Sequence, residues 1–407
     1  MIEMVFKNVR KILVIKLRHI GDVLITVPVF RALRENFPDA HISALVNSGT
    51  EDVLKGNPLI DDVIVFERAI KGLPPLRRYG RELGFLRRIR AGGFDMTVDL
   101  TGGDRAAILS FTSGARYRLG WKPRNGLPGK RRLYTHLSKP DRKMHTILQN
   151  LDIVRRHGID TSDISVDLLV PERDRLAVAK VLEENGVGRG DVIVHVHPTS
   201  RWLFKCWNDK HMAKIIRWLL EEGMTVVVTS SPERREMEKA VKILSLAGPH
   251  RRLIDLCGKT TMKQLAAVAS AAKMFFGVDS APMHIAASMD TPVVALFGPS
   301  GAFNWGPWDN KESSKFRVPS SKSEYAAGDD NKESSKFKVQ SSTILSPYSQ
   351  RNGTQIFGIH TVIQRGWDCI PCGEDGCGGS KISKCLEDIS VDEVKEVISE
   401  KLRGTGE

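Results

Sequence analysis

No uninterrupted apolar stretch in these 407 residues approaches the roughly 20 needed to cross a bilayer, and the run Ile12-Leu13-Val14-Ile15 is cut by Lys16. Neither a signal peptide nor a transmembrane helix is expected, which points to the cytoplasm. Cysteine is scarce: six in all, too few for a disulfide framework in a chain this long, and expected to stay reduced. The dinucleotide fingerprint Gly-x-Gly-x-x-Gly is missing where the first strand turns into a helix, since only Gly21 is present, which argues against NAD. Acidic residues are short in the first half. Lys71 to Arg90 holds seven basic residues and one acidic, and Arg116 to Lys143 ten and one, a surplus of 15 (17 against 2) beside a whole-chain net charge of +13. A polyanion or an anionic membrane surface is expected to meet that half. Those windows lack the interleaved aromatics of a stacking platform, and no basic recognition module is present, so nucleic acid is not the expected partner.

What is there is enough apolar residue, 41%, to build two ordinary cores in a chain too long for one. Lys11 to Leu17 reads as a strand, followed by a glycine turn and an amphipathic helix from Val23 to Asn36 that Pro38 ends. Further strands are expected at His41 to Val46, Val63 to Phe66 and Phe94 to Leu100, with a loop from Gly120 to Pro140 and a helix from Met144 to His157. An extended stretch, Ser165 to Pro171, leads through the helix Glu172 to Asn185 into a second series: strand Asp191 to His197, helix Asp209 to Glu222, strand Thr225 to Thr229, helix Glu233 to Ser245. Thr261 and Gln264 have capping-box spacing before the helix Leu265 to Lys273. Strands alternating with helices mean α/β domains, and the pattern occurs twice, so two Rossmann-like, doubly wound parallel sheets are expected, at 1–170 and 171–308. Residues 309–355 turn polar and repeat Asp309-Asn310-Lys311-Glu312-Ser313-Ser314-Lys315-Phe316 at Asp330 to Phe337, which reads as a duplicated, disordered surface insertion. Residues 356–407 form a cysteine-containing tail and an amphipathic helix, Val391 to Leu402, in a position to pack back across the hinge.

Four stretches carry chemistry. Phe276 to Ala287 followed by Pro292 to Ser300 reads as strand, elbow, short helix, strand and second elbow on one sheet edge. Asp279 and Ser280 suit caps, Pro282 suits the first turn, and the free N–H groups from Asp279 to Ala281 suit a phosphate. The plainer reading keeps Asp279 as a cap and His284 as a core histidine. Arg18-His19-Ile20-Gly21-Asp22 is a strand-to-helix turn in which Asp22 either favours the helix N-terminus or reaches the cleft as a general base. His195 to Trp207 is a basic loop whose Lys205, hedged by Phe204, Cys206 and Trp207, is either solvated or directed at a diphosphate. In Ser230 to Glu236 a carboxylate either binds ribose hydroxyls or favours its own helix start.

The run Gly277 to Ser300 resembles the donor-site signature of the glycosyltransferase family that contains the lipopolysaccharide heptosyltransferases, departing at Asp290 where a helix-ending glycine is expected. Arg18 to Pro28 and His195 to Trp207 resemble that family in the same order. The resemblance implies a GT-B enzyme with its acceptor at the first domain and an ADP-linked heptose, the donor substrate, at the second, and no cofactor. It implies Asp22 and Lys205 as catalytic groups. Arg18, Gly21, Thr199, Ser200, Glu236 (less surely Glu233), Asp279, Ser280, Ala281 and His284 are implied as substrate-binding residues. The acceptor it implies is the lipopolysaccharide inner core, with peripheral contact at the inner membrane surface.

Two alternatives stay open: a nucleotide-sugar epimerase of the same fold, and a basic nucleic-acid-binding protein. Cys369, Cys372, Cys377 and Cys385 begin with a metal-like Cys-x-x-Cys, but the later intervals are not a standard pair. A structural role near the acceptor end of the cleft is expected of them, and no metal.

Overall fold

In the computed structural model, which describes residues 6–67, 74–316 and 346–404, the first half is organised around six parallel strands. These are β1 (Lys11–Lys16), β2 (His41–Asn47), β3 (Asp62–Phe66), β4 (Met96–Asp99), β5 (Tyr117–Trp121) and β6 (His136–Ser138), in the order β3-β2-β1-β4-β5-β6. The second half holds β7 (Ile193–His197), β8 (Thr225–Val228), β9 (Leu253–Asp255), β10 (Met274–Val278), β11 (Val293–Phe297), β12 (Gly353–Phe357) and β13 (His360–Gln364). Their order is β12-β13-β11-β10-β7-β8-β9, with only β12 antiparallel. Two doubly wound α/β sheets are therefore present, as expected.

The central strands, β1, β7, β10 and β11 among them, are buried on both faces because helices cover both. Along β1, Ile12 and Val14 join one buried cluster while Leu13 and Ile15 join another on the opposite face. The second sheet repeats this: Phe275 and Phe297 face one way, Phe276 and Leu296 the other. The first cluster runs without a break from Val23 and Leu24 in one half to Met283 and Ile285 in the other. That continuity is what holds the two sheet edges opposite each other.

Local signals placed some of the helices: the stretch Val23 to Asn36, expected as one, is two, Ile20–Leu24 and Val27–Asn36, and the helices Pro75–Ala91 and Asp104–Thr112 were not expected. The helix Met262–Ala271 starts with the expected capping box, Thr261 with Gln264. Asp290, standing where a glycine was expected, takes the left-handed conformation with φ of 54°.

Three expectations are corrected. Residues 120–140 are not a plain loop: they include the end of β5, a 3-10 turn at Lys130–Leu133 and β6, too short at three residues to show a period. Residues 309–355 are not a disordered insertion at either end. The Trp308 ring lies 5.2 Å from Phe316 and 5.5 Å from Phe357, and Tyr348 is fully buried with its hydroxyl donating to the Pro307 carbonyl at 2.6 Å. The first repeat copy thus folds into the core, while the second, Asp330 to Phe337, lies outside the described residues. A lone phenylalanine among polar residues has no periodicity to betray it. Finally, the helix Val391–Arg403 does not reach back across the hinge. Val394 and Ile398 join the buried cluster of Ile215 and Ile216 on the helix Asp209–Glu221, so residues 356–407 belong to the second sheet rather than to a separate tail.

Candidate active site

Strand order reverses between β1 and β4 in the first sheet and between β7 and β10 in the second. A doubly wound sheet leaves a crevice beyond the carboxyl ends of its strands at such a point, because the flanking connections run to opposite faces. Both crevices here carry the expected residues.

At the first, β1 ends at Lys16 and the chain turns through Arg18 into the helix Ile20–Leu24, with Asp22 in its first turn. Asp22 is half-buried and lines a cleft of about 780 Å³ together with Arg18 and, from the other half, Ser300 and Gly301. The Arg18 guanidinium is fixed by donating to the Thr101 carbonyl at 3.2 Å.

At the second crevice, Thr199 and Ser200 are buried just past β7. Lys205, in the 3-10 turn Leu203–Lys205, donates from Nζ to Asp279 Oδ2 at 2.6 Å. The same Asp279 oxygen accepts from Ser300 Oγ. Asp279 is therefore an ion-pair partner rather than a helix cap, and Ser280, the N-cap of the helix Ala281–Ser288, makes no capping hydrogen bond either. Ser280 Oγ is buried without a partner. The helix tip thus keeps its own N–H groups uncapped by side chains, as an anion site requires. Glu236 is buried and accepts from Thr199 Oγ1 at 2.9 Å, and burial raises its carboxyl above the usual carboxylate range. Glu233, the lesser candidate, is engaged in capping its own helix by accepting from the Arg235 N–H.

The two crevices meet at Gly21. A Cβ there would come within 3.0 Å of His284 Cδ2 and 3.5 Å of Ala281 Cα, so the glycine is what lets the Asp22 turn lie against the helix tip. Burial pushes the His284 imidazole down to about 4, opposed by the carboxylates of Asp279 and Asp22 on its two sides. Lys205 is thus paired with Asp279, and His284 feels the charges of Asp279 and Lys205 from its own half and of Asp22 from the other.

Sequence reasoning missed two residues of this cleft. In the sequence Lys16 only breaks an apolar run, yet it is buried at the carboxyl end of β1 and lines the cleft. Asn150, on the helix Thr146–Arg155, accepts from its Nζ. The available signal was a lysine inside a strand buried on both faces, where that residue type seldom stays without a reason.

The cysteine segment closes over the second elbow. Cys372 N–H donates to the Pro299 carbonyl at 3.0 Å, Ser383 Oγ to the Phe204 carbonyl beside Lys205 at 2.6 Å, and Ile370 and Pro371 line the cleft. All six cysteines are free. Burial, with the neighbouring Cys377, Cys369 and Cys372, pushes the Cys385 thiol up to about 11, and among the described residues no group of three or more His, Cys, Asp or Glu is arranged to hold a metal ion.

Residues 83–333 match glycosyltransferase family 9 (heptosyltransferase). Lipopolysaccharide heptosyltransferase 3 of Escherichia coli (strain K12) is 31% identical over 72% of this chain and 83% of its own length. Lipopolysaccharide heptosyltransferase 2 of Salmonella typhimurium is 24% identical over 71% of this chain and 83% of its own. Among solved structures, the E. coli ADP-heptose lipopolysaccharide heptosyltransferase II superposes with a TM-score of 0.69 over 98% of this chain and all of its own, at 18% identity. The E. coli heptosyltransferase WaaC with ADP gives 0.57 over 74% and 91%, at 19% identity.

Proposed function

The chain belongs to glycosyltransferase family 9, the heptosyltransferases, and from that premise we propose that it transfers L-glycero-D-manno-heptose from an ADP-heptose donor to the lipopolysaccharide inner core, with inversion. It is a glycosyltransferase, and its relatives act in lipopolysaccharide core synthesis. The donor, the stereochemistry and the residue roles are the proposal.

One observation carries it: the Asp22 turn lies against the tip of the helix Ala281–Ser288 with Gly21 at the contact, so a carboxylate of one half stands opposite an anion site of the other. Asp22 takes the proton of the acceptor hydroxyl as that oxygen attacks the anomeric carbon. The bond from that carbon to the diphosphate oxygen breaks, and the charge left on ADP is met by Lys205 and the N–H groups of Ser280 and Ala281, the Asp279 N–H, expected to be free, already donating to the Leu296 carbonyl at 3.2 Å. Glu236, buried beside Thr199, suits the ribose hydroxyls. Ser200, whose carbonyl accepts from the Cys206 thiol, shapes the loop that carries Lys205.

The acceptor side is basic. On the helix Pro75–Ala91, Arg77, Arg81, Arg87 and Arg88 are exposed beside Tyr79 and Leu83, a composition suited to peripheral contact with an anionic membrane surface. No helix among the described residues is long and apolar enough to cross a membrane.

The test is Asp22→Ala in the purified protein. Transfer is expected to be abolished while ADP-heptose binding, read by calorimetry, survives. Loss of binding as well would make Asp22 a structural residue and sink the mechanism.

A further inference from the structure

Lys16 is an ammonium buried to 5% exposure whose two hydrogen bonds go to neutral oxygens, the Leu100 carbonyl and Asn150 Oδ1, each at 3.1 Å. No carboxylate completes its shell: Asp22 and Asp99 act on it only through their fields. A buried charge held by neutral groups alone is costly, and a fold that keeps one has a reason outside its own packing. Desolvation accordingly pulls the amine down to about 8.

Asn150 supplies the second observation. A lysine offers only donors, so the side-chain oxygen of Asn150 must face Lys16 and its amide NH2 must point the other way. That Nδ2 is buried with no hydrogen-bond partner, on a residue 3% exposed that lines the same cleft as Lys16 and Asp22. Lys16 and Asn150 therefore each keep a donor without a protein partner on the lining of one cleft, and an unmet buried donor is costly unless a ligand meets it. That lining also carries Arg142, Lys143 and Arg351, with Asp22 its one acidic member.

We propose that Lys16 and Asn150 form a subsite for an anionic substituent, carboxylate or phosphate, of the acceptor sugar, set into the floor of the cleft beside Asp22. This rests on the reading of the chain as a heptosyltransferase with an acidic acceptor. It adds which groups read that acid, and explains why a lysine is buried at the end of β1. A planar or tetrahedral oxyanion accepts from both donors at once, which fixes the acceptor ring relative to the general base.

Binding is measured without donor, by quenching of the cleft tryptophans Trp121 and Trp305. The ligand is delipidated inner-core oligosaccharide in three forms: intact, dephosphorylated and carboxyl-methylated. The wild-type protein is expected to lose roughly 10- to 100-fold in affinity when one of the two anions is removed, the range for hydrogen bonds to a charged group. Lys16→Met is expected to lose as much on the intact ligand and to become indifferent to that anion. Asn150→Ala, which leaves β1 untouched, is expected to lose less and to be partly indifferent. Which modification matters identifies the anion as phosphate or carboxylate. Equal sensitivity of wild type and both variants to either modification overturns the subsite, as does wild-type binding that ignores both. Heptose transfer is assayed in parallel: transfer without the selective loss leaves the proposed function standing and removes only the subsite, whereas selective binding without transfer does the reverse.

Discussion

Lys205 Nζ and Asp279 Oδ2 stand 2.6 Å apart, closing a gap of 74 residues in sequence and joining the loop after β7 to the elbow after β10. The pair is only partly shielded, with side-chain exposures of 21% and 7%, so Lys205 is held in place yet open on one side. A group that must meet a diphosphate gains by being positioned before the ligand arrives, because the ordering entropy is then spent on folding.

Lys205→Ala is accordingly expected to cut kcat/KM for the donor by about a hundredfold, the scale of losing a charged contact to a leaving group. Asp279→Ala is expected to cost less, through a misplaced lysine, and the double variant less than the two together, because both act through one pair. Strictly additive losses would mean that the pair does not work as a unit. In the proposed mechanism the chain supplies the positive charge that meets ADP, so steady-state transfer is also expected to be unchanged by EDTA.

Gly21 makes a geometric prediction. The Cβ of Gly21→Ala would sit 3.0 Å from His284 Cδ2, a contact relieved by a shift of a few tenths of an ångström, whereas the γ-methyls of Gly21→Val have no such escape. The valine is expected to push the Asp22 turn off the helix Ala281–Ser288. Displacements of about 1 Å cost on the order of a hundredfold in rate, while thermal unfolding should move little. Full activity in the valine variant would remove the contact from the argument.

How much of this was legible beforehand follows from where each feature gets its physics. β1, the turn at Gly21 and the capped helix at Thr261 are local, set by alternation, glycine and side-chain caps, and they fell where the pattern put them. Asp279 looked like a cap because its sequence neighbours said so, but Lys205, which takes it for an ion pair, comes from another loop. Lys16 and Asn150 are adjacent only through the fold, 134 residues apart, and neither residue alone marks a site. Phe316 is the same failure in the core: a polar neighbourhood hid a ring that the β12–β13 hairpin covers.

Buried histidines set the acid limit of the fold. His145, His195 and His197 are held down to about 3 and His284 to about 4, in each case first by burial. In the unfolded chain they titrate near 6.5, so between that value and their folded values the unfolded state binds more protons. Stability is therefore full above pH 6.5 and drains as pH falls, by up to about 1.4 kcal/mol per pH unit for each histidine. Urea unfolding at pH 7.5, 6.0 and 5.0 should show the decline, and His195→Gln should flatten its slope by about one proton. A stability unchanged between pH 7.5 and 5.0 would contradict the burial of these rings as neutral groups.

The packing of Phe316 yields the last test. Its ring is buried against Trp308 at 5.2 Å and edge-on to Phe357 at 5.3 Å, and Trp308 in turn stacks on His145 at 4.9 Å and donates from Nε1 to the Ile164 carbonyl at 3.1 Å. The cluster thus ties the start of the repeat to the segment 164–166, where Asn310 also receives the Val166 N–H at 2.8 Å. Phe316→Ala removes a ring from a packed site and leaves a cavity, a loss of about 3–5 kcal/mol. Because the cluster touches the join between the halves, the cost is expected to appear both as a lower urea midpoint and as faster proteolysis near residues 164–166. A variant as stable as wild type would show that the first repeat copy rests on the surface, as its composition alone suggests.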